Sequence, residues 1–583
     1  MKTLLFSLLL ALFAQASPAK QPNVVFILID DLSHYGISAY GSEKMAFKGN
    51  FPEPVALQTP RIDALAEEGM LCERAFAYPL CEPTRIALMT GKLNHRNLLQ
   101  KKSQHASDIT FSDSFKKAGY KTGVFGKWKQ SRGTKEIHAK KYLHEFGYDK
   151  FCCFDLVKQG NRFFNPDLVI DGEIKRFDDS IDPETGRRWF GPDICNRHAL
   201  NFIEENKDQP FFLYYSFALV HKEDEGNYHV PTPDSTPHDE FDKFDDDFQS
   251  PEGNDRSTRK HFPDMIRYTD TLVGQVVDKL DELKLRENTL IVLMGDNGTQ
   301  IPFIHVLKDG TEYPGKKGTT TDHGTHVPLI FSQPGRISKG TYPGLVDLID
   351  IYPTLCASAD VPYQTDIDGL NFWPQILNQG SSHRDHIYVY YEEPYFPEAQ
   401  NKGEDPVTLR YAFDKKYKRY APHKGFPRGR FFDIETDSQE LAGDKKVKAP
   451  NFGIIYKSGL DLDKLTPEQS AAFDRLGAVI NSHKTIPLKS LKITPTEATL
   501  SKSKSVSLKA TLTPANATRN NVIWESSDPS IASIDKFGTL TAHQSGTVKI
   551  NLYSWQDAHP TANNEPVTYF RNGITDSISL TIK

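Results

Sequence analysis

Cysteine is scarce. Six residues in a chain of 583, Cys72, Cys81, Cys152, Cys153, Cys195 and Cys356, exclude a disulfide-scaffolded fold, which needs a far higher density. Long apolar runs are missing too: the stretch Leu4 to Phe13 falls short of the roughly 20 residues that span a bilayer, and no later stretch approaches that length. No membrane span is expected. Positive charge is not in excess, and a net charge of -6 argues against a nucleic-acid partner. An anionic substrate is still admitted, provided that cations are gathered locally.

What is present begins with Lys2, the apolar run and Ala14-Gln15-Ala16, the pattern of a cleaved signal peptide over residues 1–16. A mature chain starting near Ser17, secreted to the periplasm or beyond, is the expectation. Next, Asn23 to Ile29 reads NVVFILI, a continuous apolar run suited to a strand buried on both faces of a mainly parallel sheet. It ends in Asp30-Asp31. Apolar residues from Met265 to Leu283 recur at helical spacing, and a second buried strand, Thr289 to Met294, runs into Gly295-Asp296-Asn297-Gly298. A third run, Phe211 to Val220, ends at His221, and Thr122 to Phe125 leads into Gly126-Lys127. Polar groups at the carboxyl ends of several strands of an open α/β sheet converge on one edge, where such sheets bind ligands.

Cys81-Glu82-Pro83-Thr84-Arg85 opens a short helix with proline in its first turn and Gly91 at its end. Taken alone, Cys81 is either a thiolate nucleophile with a lowered pKa or a structural cysteine. Asp30, Asp31, Asp296 and Asn297 offer the hard oxygen donors that calcium accepts. The pentapeptide matches the Cys-x-Pro-x-Arg signature of the sulfatase family, and the segments PNVVFILIDDL, TPRIDALAEEGM, AGYKTGVFGKW, PFFLYYSFALVH, LRENTLIVLMGDNGT and KKGTTTDHGTHVPLIF follow in that family's order. The chain therefore resembles formylglycine-dependent sulfatases of the alkaline phosphatase superfamily over roughly residues 20 to 400. The resemblance implies that Cys81 is oxidised to formylglycine (3-oxoalanine) by a formylglycine-generating or maturase enzyme. It further implies that Asp30, Asp31, residue 81, Asp296 and Asn297 hold Ca2+. The hydrated aldehyde attacks sulfur, a general acid protonates the leaving alkoxide, and loss of the second hydroxyl's proton expels sulfate. By position, Arg85 and Lys127 orient the nucleophile, while His221 and Lys317 serve the leaving group and the sulfate charge. One departure stands out: where sulfatases commonly read Gly-Lys-Trp-His, this chain has Lys129. Position makes it the candidate for the missing base. His95, just beyond the helix, either lines the pocket or is a loop histidine.

From about Ile486 onward, short alternating runs such as Val506 to Leu512 are separated by Ser, Thr, Pro and Gly. This part resembles bacterial immunoglobulin-like domains, which space or anchor secreted enzymes and in some cases bind carbohydrate. A basic, aromatic stretch from Lys415 to Arg430 reads either as a sulfated-sugar surface or as a solvated strand edge, and an acidic run, Asp239 to Asp247, as a solvated loop. The expected architecture is an α/β unit with a large, mainly parallel sheet flanked by helices (17–380), a smaller α+β portion (381–485) and an all-β sandwich (486–583). The expected activity is hydrolysis of sulfate esters on a sulfated carbohydrate. A phosphonate or phosphate ester hydrolase and a silent glycan-binding protein are the alternatives.

Overall fold

The computed structural model describes residues 21–47, 54–97, 104, 106–130, 143–154, 162–178, 180–222, 262–392, 408–423, 425–448, 455–495, 499–554 and 574–583. The signal segment, the acidic run and Lys424 lie outside these residues.

Strand β1 (Asn23–Ile29) is buried throughout, and its side chains alternate between two cores: Val24, Phe26 and Leu28 enter one cluster, Val25, Ile27 and Ile29 the other. A strand with two apolar faces belongs at the centre of a layered sheet. The sheet has eleven strands among the described residues. The other ten are β2 (Met70–Phe76), β3 (Lys121–Lys127), β4 (Lys150–Phe154), β5 (Asp167–Ile170), β6 (Glu173–Arg176), β7 (Phe211–Ser216), β8 (Thr289–Gly295), β9 (His326–Val327), β10 (Leu329–Ser332) and β11 (Gly340–Asp347). Their order is β9-β2-β10-β8-β1-β7-β3-β4-β5-β6, with β11 beside β2. The central five, β8, β1, β7, β3 and β4, run parallel, and antiparallel pairings extend the sheet on both sides. Helices cover both faces. Apolar residues of α1 (Pro60–Glu68), α3 (Gly191–Glu205) and α4 (Phe262–Glu282) join one core, and those of α2 (Cys81–Thr90) the other.

A four-stranded antiparallel sheet follows, β12 (Ile387–Glu392), β13 (Thr408–Phe413), β14 (Tyr417–Tyr420) and β15 (Arg430–Asp433), with α5 (Pro467–Ser482) packed on it. Tyr411, Tyr420 and Leu476 belong to the same apolar cluster as α2, so this smaller layer shares a core with one face of the large sheet. The described residues between 490 and 582 form an all-β sandwich around Ile493, Leu508, Leu540, Ile550 and Leu580. Here the run Val506 to Leu512 is two strands, not one: Ser505–Ser507 pairs with Thr539–Thr541, and Lys509–Thr513 pairs with Ser490–Thr494. The chain changes sheets at buried Leu508, whose amide donates to the Gly538 carbonyl at 2.8 Å.

The sandwich rests on the α/β part through polar contacts. Lys536 Nζ donates to Asp113 Oδ2 at 2.7 Å and to the carbonyls of Glu145 at 2.8 Å, Asp108 at 3.0 Å and Ala106 at 3.3 Å. Asn520 reaches Asp366 at 2.6 Å, Asn521 reaches Asp108, and the Arg519 guanidinium donates to the His95 carbonyl at 3.3 Å.

Candidate active site

Parallel strands end side by side, and the chemistry sits at those ends. Asp30 and Asp31 follow β1, Asp296 and Asn297 follow β8, and Lys127 is the last residue of β3. Strand β7 stops at Ser216, short of the end of the apolar run Phe211 to Val220. His221 is brought back by the backbone beyond it: the Phe217 amide donates to Leu28 O at 2.8 Å, Val220 N to Asp30 O at 2.8 Å, and Asp30 N to Leu219 O at 2.9 Å. Gly126 makes the close approach of β3 and β7 possible. Its φ of +102° is in the left-handed region, and a methyl there would strike the Ser216 carbonyl.

Cys81 is the first residue of α2, and Leu80 at the N-cap offers no side-chain acceptor. The positive end of the helix dipole therefore lies at residue 81. The helix closes on Gly91, whose φ of +65° lets its amide reach Ala87 O at 2.8 Å. One carboxylate oxygen each from Asp30 and Asp296 and the Cys81 sulfur lie within 4.8 Å of one another, all buried.

Each carboxylate of the group is held by a cation. Lys127 pairs with Asp30 and Lys317 with Asp31, while Arg85 grips Asp296 Oδ2 through Nε at 3.1 Å and Nη2 at 2.8 Å. Arg85 also donates to Ser216 Oγ and, at 3.2 Å, to the Lys127 carbonyl, tying α2 to two strand ends. Asp31 has a φ of +60°, and its amide donates to Asp296 Oδ1 at 3.0 Å. Its carboxylate receives Asn297 Nδ2 at 2.8 Å and Gln300 Nε2 at 2.6 Å. Three buried oxygens then lack a hydrogen-bond partner: Asp30 Oδ1, Asn297 Oδ1 and Gln300 Oε1. Unpartnered buried oxygens beside crowded carboxylates are the donor set of a hard cation.

The electrostatics follow from burial and crowding. Burial pushes Asp30 up, but Lys127, Arg85 and Lys317 outweigh it and hold the carboxyl well below the usual range. Asp296 is pushed up to about 7, by burial first and the Asp30 charge second. Burial also raises the Cys81 thiol, with Lys127 opposing, so the unmodified sulfur is not the activated thiolate that the helix terminus alone suggests. His221 is driven well below its ordinary value by burial, then by Lys317, Arg162, Lys127 and Lys129. Its Nε2 lies 3.7 Å from Asp31 Oδ2, and its Nδ1 lies 2.9 Å from Arg162 Nη1 and 2.6 Å from the Lys222 carbonyl.

Asp30, Asp31, Cys81, Arg85, Lys127, His221, Asp296, Asn297 and Lys317 are thus brought together. Lys129, half-buried at φ +61°, is close enough to act electrostatically on both Cys81 and His221. His95 is elsewhere: its ring lies among Tyr388, Tyr390 and His483, and burial lowers its pKa to about 4. Within the basic stretch Lys415 and Arg428 are exposed, whereas Lys418 and Arg430 are not. Lys418 is buried on Glu440 at 2.7 Å and also donates to the Thr320 carbonyl, while Arg430 is buried over the Tyr420 ring at 3.7 Å. Two members of the site were not foreseen. Gln300 carries no motif of its own beyond its place three residues after Asn297, and Arg162 lies in a segment without periodicity.

A mainly parallel α/β sheet with a cation-lined carboxylate cluster at its strand ends, facing a cysteine at a helix start, defines a hydrolase of anionic esters. The sulfatase family model matches residues 22–361, and the bacterial Ig-like domain (group 2) model matches residues 487–559. The chain belongs to the sulfatase family and is a sulfuric ester hydrolase with a C-terminal Ig-like domain. It is similar to arylsulfatase A of Homo sapiens, 27% identical over 425 residues, covering 67% of this chain and 74% of that protein. It is also similar to N-acetylgalactosamine-6-sulfatase of Rattus norvegicus, 28% identical over 408 residues, covering 64% and 69%. Two solved structures share the fold. Ps i-CgsB in complex with k-i-k-neocarrahexaose has a TM-score of 0.52 at 24% identity, covering 73% of this chain and 88% of that one. A phosphonate monoester hydrolase from Silicibacter pomeroyi has a TM-score of 0.52 at 16% identity, covering 79% and 95%.

Proposed function

We propose that the protein is a secreted, calcium-dependent sulfatase acting on a sulfated polysaccharide or its oligosaccharides, with formylglycine formed from Cys81. The observation that carries this reading is the buried meeting of Cys81, Asp30 and Asp296 with three unpartnered oxygens, ringed by Arg85, Lys127, Arg162 and Lys317. Calcium would be held by Asp30, Asp31, Asp296 and Asn297 together with residue 81, and when bound it supplies Lewis-acid polarisation. Residue 81, once oxidised, supplies a hydrated aldehyde as nucleophile toward sulfur.

The remaining roles belong to this chain's own side chains. Arg85 locks Asp296 and two strand ends in place, and Lys127 holds Asp30, so the oxygens are preorganised before substrate arrives. Lys317, Arg162 and Lys129 gather the positive charge that a sulfate monoester needs, although the whole chain is acidic. His221 serves as general acid. Its Nε2 faces Asp31 Oδ2 at 3.7 Å, and its Nδ1 meets both Arg162 Nη1 at 2.9 Å and the Lys222 carbonyl at 2.6 Å. An anion among these cations raises the ring's proton affinity, offsetting the repulsion that depresses it. Lys129 stands where the family has histidine and acts as base on residue 81.

The names of the relatives, one an N-acetylgalactosamine-6-sulfatase and one bound to a neocarrahexaose, support a sulfated carbohydrate as substrate. The division into a signal segment (1–16), a large layer (17–380), a small layer (381–485) and a sandwich (486–583) belongs to the same proposal. Incubation with a panel of sulfated oligosaccharides, with released sulfate measured against a Cys81→Ala control, tests it. Release by the native protein alone is expected, and no release from any member contradicts the substrate class. The fold shared with a phosphonate monoester hydrolase favours one second reading, hydrolysis of phosphonate or phosphate esters. Faster turnover of aryl phosphonates than of aryl sulfates would establish it.

A further inference from the structure

Strand β4 contains two adjacent cysteines, and the pleat sends them to opposite faces. Cys153 belongs to the core on the α2 side, its sulfur 3.6 Å from the Val124 carbonyl. Cys152 belongs to the other core, where helix α3 presents Cys195, and the two sulfurs stand 3.9 Å apart. Both are buried, at 0% and 3% exposure. A disulfide needs the sulfurs to close from this contact to about 2.05 Å. Cys72 and Cys356 sit in the opposite core, so among the described residues Cys152 and Cys195 are the one pair of neighbouring sulfurs outside the active site.

We infer that Cys152 and Cys195 form a disulfide in the exported protein, a staple between the sheet and α3. The compartment rests on the secretion proposed above; the pairing rests on the geometry. The reaction is thiol–disulfide exchange with an oxidised dithiol protein or glutathione disulfide. One thiolate attacks a sulfur of the acceptor to give a mixed disulfide, the second thiolate attacks that bond, and the acceptor leaves as two thiols. Two electrons pass to the acceptor, and two protons leave the cysteines. Because both thiols are enclosed in the finished fold, the bond forms while α3 is still docking. Once made, it resists reduction.

The staple has a functional neighbour. It closes a loop that contains Arg162, the residue against His221, and Arg162 and Cys195 line one pocket with Gly126, Phe154 and Tyr215. Cys152 also lies opposite Phe125 in β3, two residues before Lys127. The bond therefore fixes the wall behind the acid and the Lys127 strand end.

The test uses the purified full-length chain, unfolded and refolded in a glutathione redox buffer, quenched with acid, alkylated without reduction and mapped by peptide mass spectrometry. A Cys152–Cys195 linked peptide is expected, with Cys72, Cys153 and Cys356 alkylated. Recovery of Cys152 and Cys195 as separate alkylated peptides, or a Cys153 linkage, overturns the inference. Melting with and without dithiothreitol gives a second reading: the native chain should lose several degrees on reduction and Cys195→Ser none, whereas equal loss in both contradicts the staple. An unprocessed amino terminus on the cellular protein would count against export and leave the pairing untouched.

Discussion

At residue 81 the surroundings decide the chemistry. A cysteine at a helix start beside Arg85 suggests an activated thiolate, yet burial raises the thiol, which accords with the proposal that residue 81 acts only after oxidation. Gln300 bears on the proposed metal site. Its amide holds one oxygen of Asp31 while its own carbonyl is left unpartnered. Groups that orient metal ligands typically contribute about 10–100-fold in affinity, so Gln300→Leu is expected to weaken Ca2+ binding by that factor in titration calorimetry, with the melting temperature of the calcium-free chain unchanged. Lys129→Ala tests the substituted base: kcat is expected to fall by about 100-fold or more, with the pH profile altered. An unchanged rate and profile would dismiss that role.

Three buried histidines away from the nucleophile contribute to acid sensitivity. Burial first of all lowers His95 to about 4, His305 to about 3 and His323 to about 4, against an ordinary value of 6.5. The folded chain therefore binds fewer protons than the unfolded chain below that ordinary value. Their contribution is fully present above pH 6.5 and is lost as pH falls toward the folded values. Urea midpoints should drop across this interval, and His305→Gln should flatten part of the slope.

At the scale of elements, a small network supports the loop that carries Lys317. Glu440 accepts from Lys418 at 2.7 Å and from the Tyr420 hydroxyl, which also meets Thr320 Oγ1 at 2.8 Å. Replacing Glu440 by Leu strands Lys418 and Arg430 without their anion, at a cost of about 3–5 kcal/mol, measurable by chemical denaturation. Much of the large sheet was legible in the sequence because β1, β7 and β8 are apolar on both faces and end in polar signals. The meeting of Asp30, Asp31 and Asp296 at adjacent strand ends was legible for the same reason. The turn after Ser216, the sheet change at Leu508 and the burial of Lys418 were not, since each depends on a distant partner: Asp30, Gly538 and Glu440. Local pattern carries no trace of such contacts. Gln300 escaped for a related reason, as its role exists only where β8 meets β1.

For the whole molecule, the Ig-like sandwich is docked onto the catalytic layer and not merely tethered to it. Lys536 Nζ lies within hydrogen-bonding distance of three main-chain carbonyls and of Asp113, sharing its three protons among them, and the segment it grips includes Asp108, which also receives Asn521. Nearby, the Gln104 amide donates to the Gln130 carbonyl at 2.9 Å, next to Lys129. Lys536→Ala is expected to raise amide exchange across residues 104–113 and to speed proteolysis of the link between the two parts. Unchanged protection there would mean that the contact contributes little.

The central claim is that residue 81 is no longer a cysteine in the working enzyme. Mass analysis of the peptide spanning residues 81–85, from protein isolated in its native host, tests this most directly. The account predicts an aldehyde, or its hydrate, at position 81. An unmodified thiol in a preparation that still releases sulfate would contradict it.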